Sequence, residues 1–239
     1  MRNGSYFFLL LGLIFAIFSC TKQVNTIKNR PLPVMLVPGV QDTSEIEKGI
    51  DAIPEGDKIR IEWKASPEIE VRDYRIYRSV EREKSYLFIS ELSIPDTTFE
   101  DEAIVGQRYY YYIQAVTDEN IESFPSDTLD YKLIHKAVNI TPKGTTIYPQ
   151  PELSWKDPNI PTEAYYVIRF VKATSGEIMW ISVVPSSYSG DREGVIFNSD
   201  GFASIDFLQP GIDYQWRVDI IGSESHSGSE SGWLPIRLQ

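Results

Sequence analysis

From about Ile50 onward the chain is written in short segments whose apolar and polar residues alternate. In residues 58–63 the alternation puts Ile59, Ile61 and Trp63 on one face, the period-two signature of a half-buried β-strand. Residues 74–78 repeat it with Tyr74 and Ile76 inward, residues 86–89 give another strand, and 95–101 read as a turn and a short strand. Gly106 and Gln107 then lead into 109–116, where Tyr109, Tyr111, Ile113 and Ala115 point inward and Tyr110, Tyr112 and Gln114 outward. A closing strand follows at about 128–133. The second half runs through the same order. Strands are expected at 152–155, 164–170 and 177–181, then a long loop, then 203–207 and 214–220, and a last strand ending near Leu238. In 214–220, Tyr214, Trp216, Val218 and Ile220 face inward, with Gln215, Arg217 and Asp219 outward. Two copies of one strand order, each roughly 100 residues, predict two tandem β-sandwiches.

The N-terminus has a different pattern. Arg2 precedes an apolar run over 6–18, then Ser19 and Cys20, after which the chain turns polar. A charged start, an apolar middle and a small residue at the end make a secretory signal. The run is shorter than the roughly 20 residues that span a bilayer, and it lacks the polar face of a core helix. Residues 17–20, Ile-Phe-Ser-Cys, resemble the lipobox of bacterial lipoproteins. That resemblance implies cleavage before Cys20, acylation of its sulfur and new amino group, and residence in the cell envelope, at the outer membrane or cell surface rather than the inner membrane. The expected organisation is a signal peptide at 1–19, a polar tether at 20–45 carrying Pro31, Pro33 and Pro38, and sandwiches at 46–134 and 135–239. The composition of 43–48 is compatible with a helical turn, closely bounded by Gly49 and Pro54.

Both repeats resemble the fibronectin type III family. The marks are Trp63 and Trp155 on the second strand and a tyrosine opening the sixth strand after a turn. In the second copy the turn reads Leu208-x-Pro210-Gly211-x-x-Tyr214; in the first, Val105-Gly106-Gln107-Arg108-Tyr109 lacks the proline. Ser123-x-Pro125-Ser126 and Glu230-Ser231 also match. The resemblance implies an all-β, immunoglobulin-like architecture, with each corner tyrosine hydroxyl bonded to backbone a few residues upstream. It implies no one function, because the family includes spacers, receptors, adhesins and enzyme appendages.

Charge and composition narrow the chemistry. The formal net charge of −11 becomes −12 once Arg2 leaves with the signal, and such a surface repels nucleic acid. A single cysteine permits no internal disulfide, so each sandwich depends on its apolar core. His135 and His226 are isolated and expected in solvent, there is no Gly-x-Ser-x-Gly elbow, and no spacing suits zinc. Asp191, Glu193, Asn198 and Asp200 are oxygen donors clustered in sequence, but not at EF-hand spacing. The expectation is a non-enzyme without cofactor or metal. The candidate binding face is Tyr77, Tyr110 and Tyr112, outward on neighbouring strands of the first sandwich. Cross-strand pairing alone accounts for such tyrosines; a protein or glycan partner is the functional alternative. The loop 185–198 is a second candidate contact. Together these readings predict a lipid-anchored, exported binding or scaffolding protein, with a passive spacer or an accessory glycan-binding module as alternatives.

Overall fold

The alternating segments pair into sixteen strands, described by a computed structural model covering residues 30–37, 49–159, 165–186 and 193–239. Cys20, the apolar run before it and residues 43–48 lie outside the described residues. In the first sandwich β1 (Ile50–Ala52), β2 (Lys58–Glu62) and β5 (Thr98–Glu102) form one antiparallel sheet. Facing it are β3 (Val71–Ser79), β4 (Leu87–Ser93), β6 (Arg108–Thr117) and β7 (Leu129–Leu133), in the order β4-β3-β6-β7. The second sandwich repeats the plan with β8 (Val138–Thr141), β10 (Glu152–Lys156) and β13 (Glu193–Ile196) in its smaller sheet. Its larger sheet holds β11 (Tyr165–Lys172), β12 (Ile178–Pro185), β14 (Asp213–Ile221), β15 (Ser227–Glu230) and β16 (Leu234–Leu238), with β9 (Gly144–Thr146) parallel to β16.

The inward residues are those the alternation selects. Ile59, Ile61, Tyr74, Ile76, Tyr111, Ile113 and Ala115 are essentially inaccessible in the first core, as are Trp155, Tyr166, Tyr214, Trp216 and Val218 in the second. Each core has the same centrepiece. Trp63 meets Tyr74 edge-on with centroids 5.4 Å apart, and Trp155 meets Tyr166 edge-on at 5.0 Å. Both corners close as expected, with or without the proline. Tyr109 Oη accepts from the Ile104 amide at 3.4 Å and Tyr214 Oη from the Gln209 amide at 3.3 Å, so each ring is buried without stranding its hydroxyl. Ser126 and Ser231 also serve equivalently: their hydroxyls accept the amides of Ile113 and Val218, both at 3.0 Å.

Four expectations are corrected. Residues 30–37, assigned to the tether, pack on the first sandwich: Val34 and Leu36 are buried in its core, and Leu36 bridges Trp63. Gly49 makes that fit possible, since a Cβ there would lie 2.8 Å from the Glu62 carbonyl and 3.2 Å from Leu36 Cβ. The loop 185–198 contains a strand, β13, paired with β10. Residues 203–207 form no strand; the Ser204 amide bonds the Met179 carbonyl at 2.8 Å, and Ala203 bonds the Asn198 side chain at 2.9 Å. Lastly, Arg217 and Asp219 point away from the core as expected but are buried. The reason is the junction. β15 pairs in parallel with β7, so the larger sheets of the two sandwiches run on as one, in the order β12-β11-β14-β15-β7-β6-β3-β4.

Candidate binding face

The outward side of β3, β4 and β6 is held in register by the backbone. Tyr77 on β3 lies opposite Tyr112 on β6 and Phe88 on β4. The Tyr77 and Tyr112 rings stack, with centroids 4.7 Å apart and planes 20° apart. Phe88 meets Tyr77 edge-on at 5.9 Å, and Tyr86 leans on Tyr112 at 4.8 Å. Two of the three predicted tyrosines therefore meet. Tyr110 shares their side of β6 but lies opposite Ser79 and Asp130. Among the described residues it has no ring contact. Tyr86 and Phe88 were missed as site residues because they sit at a strand entry, where alternation has not yet declared a face.

One edge of the strip is fixed by charge. Arg75 donates from Nε to Glu91 Oε2 and from Nη1 to Glu122 Oε1, each at 2.5 Å, and from Nη2 to Asn120 Oδ1 at 2.8 Å. Those carboxylates raise its pKa, so it remains a cation. Tyr77 Oη reaches the same Glu122 oxygen at 3.3 Å. Burial, and next the Glu122 charge, raise the phenol pKa of Tyr77 and Tyr112, so both hydroxyls stay protonated donors. At the other margin Phe88 is 55% exposed on β4, where the sheet ends; Leu87, paired with Arg78, lies on the other side of that strand.

The stacking geometry limits what this face can hold. Tyr77 and Tyr112 each give a ring face to the other, and their outer neighbours are again aromatic. What is left for a partner is ring edges, hydroxyls and Phe88. Sugar stacking uses open ring faces; ring edges and hydroxyls beside one exposed phenylalanine suit a protein surface.

Of the oxygen donors, Asp191 lies outside the described residues, and Glu193, Asn198 and Asp200 have separate partners. Glu193 is buried on β13 opposite Trp155 and bonds Ser186 Oγ at 3.0 Å. Asp200 accepts from Trp180 Nε1 at 2.8 Å, Ser182 Oγ at 2.6 Å and the Phe202 amide at 3.0 Å, and the hydroxyl, amide and indole donors hold its pKa down against burial. Among the described residues no group of three or more His, Cys, Asp or Glu side chains is placed to hold a metal ion. His226 is not in open solvent: it is half-buried, with Nδ1 3.0 Å from Asp130 Oδ1. The sequence also gave no sign of the pair Asp101 and Arg78, where Arg78 Nη1 donates to both Asp101 oxygens at 2.9 and 2.7 Å and Tyr111 Oη donates to Oδ2 at 2.8 Å. The available signal was an inward tyrosine whose hydroxyl needs a buried acceptor.

No protein-family model matches the chain, and no curated protein matches it. Solved structures resemble it in fold. A β-1,2-glucanase from Parabacteroides distasonis is 22% identical over 45% of this chain with a TM-score of 0.34, and the match spans 14% of that enzyme. The two-domain fibronectin type III segment of chicken tenascin is 18% identical, covering 87% of this chain and 97% of that one, with a TM-score of 0.30. The FN1–FN3 domains of chicken CNTN1 are 14% identical over 88% of this chain and 67% of theirs, with a TM-score of 0.31. These likenesses concern fold alone. The chain is two tandem fibronectin type III-like sandwiches, as the strand order and the two tyrosine corners require.

Proposed function

We propose that the protein is a lipid-anchored, exported, non-catalytic binding or scaffolding protein of the bacterial cell envelope. Lipid on Cys20 holds it at the outer membrane or cell surface, and the outward side of β3, β4 and β6 meets a protein partner. The observation that carries the binding reading is the aromatic strip. Tyr77, Tyr86, Phe88 and Tyr112 make one connected array, with Phe88 exposed at its margin. Contiguous exposed aromatic and apolar side chains mark contact surfaces. The mutual use of ring faces supports a protein partner over the glycan alternative. A passive spacer is the second reading, favoured by the shared sheet that runs through the junction.

Two experiments test this. Cys20→Ala is expected to abolish palmitate labelling, and unchanged labelling refutes the anchor. Tyr77→Ser, Tyr110→Ser and Tyr112→Ser combined are expected to leave a folded protein that captures less material from intact envelopes than the parent does. Undiminished capture by the folded triple variant removes the binding face. A protein that tolerates every face substitution but not shortening is a spacer.

A further inference from the structure

We propose that the hairpin over residues 222–230 is an intramolecular latch that locks the two sandwiches into one rigid body. It rests on the junction geometry and is independent of lipidation and of the aromatic strip. The latch begins in the backbone. The Lys132 amide donates to the His226 carbonyl at 2.9 Å, and the Ile134 amide to the Gly228 carbonyl at 3.1 Å. These bonds belong to the parallel pair β7·β15, in which Lys132 lies beside Ser227 and Leu133 beside Gly228.

The register has a topological consequence. Leu133 faces the first core, so its neighbour Gly228 points to the same side. Two residues on, Glu230 lies opposite Asp219, on the side turned away from the second core. Side chains alternate along a strand, so the side of the shared sheet that is interior in the first sandwich is exterior in the second. The smaller sheet of the first sandwich can therefore cover the exterior of the second. Asp51 and Tyr131 from the first line one small cavity with Asp219, Ser227 and Glu230 from the second. Lys136, in the connection, donates from Nζ to the carbonyls of Ile53 and Pro54, both at 2.8 Å.

Gly228 is the keystone for a reason of space. A Cβ there would lie 2.7 Å from Tyr131 Oη and 2.9 Å from the Ile220 carbonyl, inside any normal contact. Charge closes the rim. Arg108 donates to the Ser225 carbonyl at 2.8 Å and to Glu224 at 3.3 Å, Lys132 pairs with Glu224 at 2.5 Å, and His226 meets Asp130. Ser229 Oγ donates to the His135 carbonyl at 3.0 Å, tying the hairpin to the connecting segment as well. A short connection limits the distance between two domains but not their orientation; these contacts fix the orientation.

The test uses the full chain carrying Cys20→Ala, so that no third thiol takes a label, in detergent, with spin labels on Asp96→Cys and Asp206→Cys, and amide hydrogen exchange. The parent is expected to give one narrow distance and protected amides at Lys132 and Ile134. Gly228→Val is expected to broaden the distance and speed exchange at those two amides on the order of 100-fold, while Ile113 and Val218 stay protected. A broad distance in the parent, or a narrow one with unchanged exchange in Gly228→Val, overturns the latch. Should valine also unprotect Val218, replacing residues 223–226 by two glycines decides the matter. That variant removes Glu224 and His226 without a wedge; a broadened distance supports the latch and an unchanged one overturns it.

Discussion

The two sandwiches differ most where their strands are most alike. Tyr77 lies three residues beyond the tyrosine that meets Trp63, and Arg169 three beyond the one that meets Trp155. Tyr112 and Arg217 each lie three residues beyond a corner tyrosine. The register sets Tyr77 opposite Tyr112 and Arg169 opposite Arg217. One position pair is thus a stacked aromatic couple in the first sandwich and two buried guanidiniums in the second. The arginines are tolerated side by side because acids stand between them. Arg169 Nε bonds Asp219 at 2.8 Å, Arg217 Nη2 bonds Glu230 at 2.6 Å, and Arg217 also lies 4.9 Å over the Trp233 ring. Inward positions are dictated by the core and are shared. Outward positions answer to whatever covers them: burial and the junction in the second sandwich and, on our reading, a partner in the first.

The comparison breaks hardest if the shared cores are not equivalent. Trp63→Ala and Trp155→Ala should each cost about 3–5 kcal/mol through lost burial and a cavity, and calorimetry showing a loss in one variant but not the other contradicts the common plan. Next comes the face itself. Arg217→Ala leaves Asp219 with Arg169 but strands Glu230 in a buried site, and should cost about 3 kcal/mol in denaturant unfolding, whereas an effect below 0.5 kcal/mol (roughly that of a surface pair) denies that the network is buried.

A pH effect sharpens the contrast further. Burial, and next the Asp219 charge, push the Glu230 carboxyl up to about 7 against the pull of Arg217, from an ordinary value of 4.5. Between those values the folded state holds a proton that the unfolded state has released, so stability is greatest on the acid side and falls as pH rises through the window. Thermal melts should show a loss on the order of 3 kcal/mol across that window that Glu230→Gln abolishes. A slope of the opposite sign, or one that survives Glu230→Gln, assigns the titration elsewhere. The smallest effect belongs to the aromatic face: Tyr77→Ser should cost about 0.2–1 kcal/mol, as cross-strand pairs do, and a loss near that of Trp63→Ala would make the tyrosine a core residue.

Alternation made the cores legible, and the strand tryptophans and the corner tyrosines could be read because large aromatic side chains have few places to go; that each tryptophan meets a tyrosine edge-on was not read. Three further features were not legible, each for a physical reason. β15 reads Ser-Gly-Ser-Glu, with no β-branched or aromatic residue, because Gly228 lies against Tyr131 where no side chain fits. Arg217 and Asp219 carry a solvent signature, and only the tertiary arrangement reveals that their side of the sheet is covered. Val34 and Leu36 sit among prolines without periodicity, so their packing on Trp63 left no local trace. For the candidate site, the strand faces gave Tyr77 and Tyr112, but stacking and the meeting with Phe88 depend on a three-strand register that no local pattern encodes.

The central claim is that the outward face of the first sandwich, and not that of the second, meets a partner. Its most direct test places a photo-crosslinking residue either at Phe88 or at Val183, which is exposed on the edge strand β12, in the lipid-anchored protein on intact cells. The account predicts a discrete protein adduct from Phe88 and none from Val183. Adducts from Val183 alone, or none from Phe88 under conditions that label a control envelope complex, would contradict it.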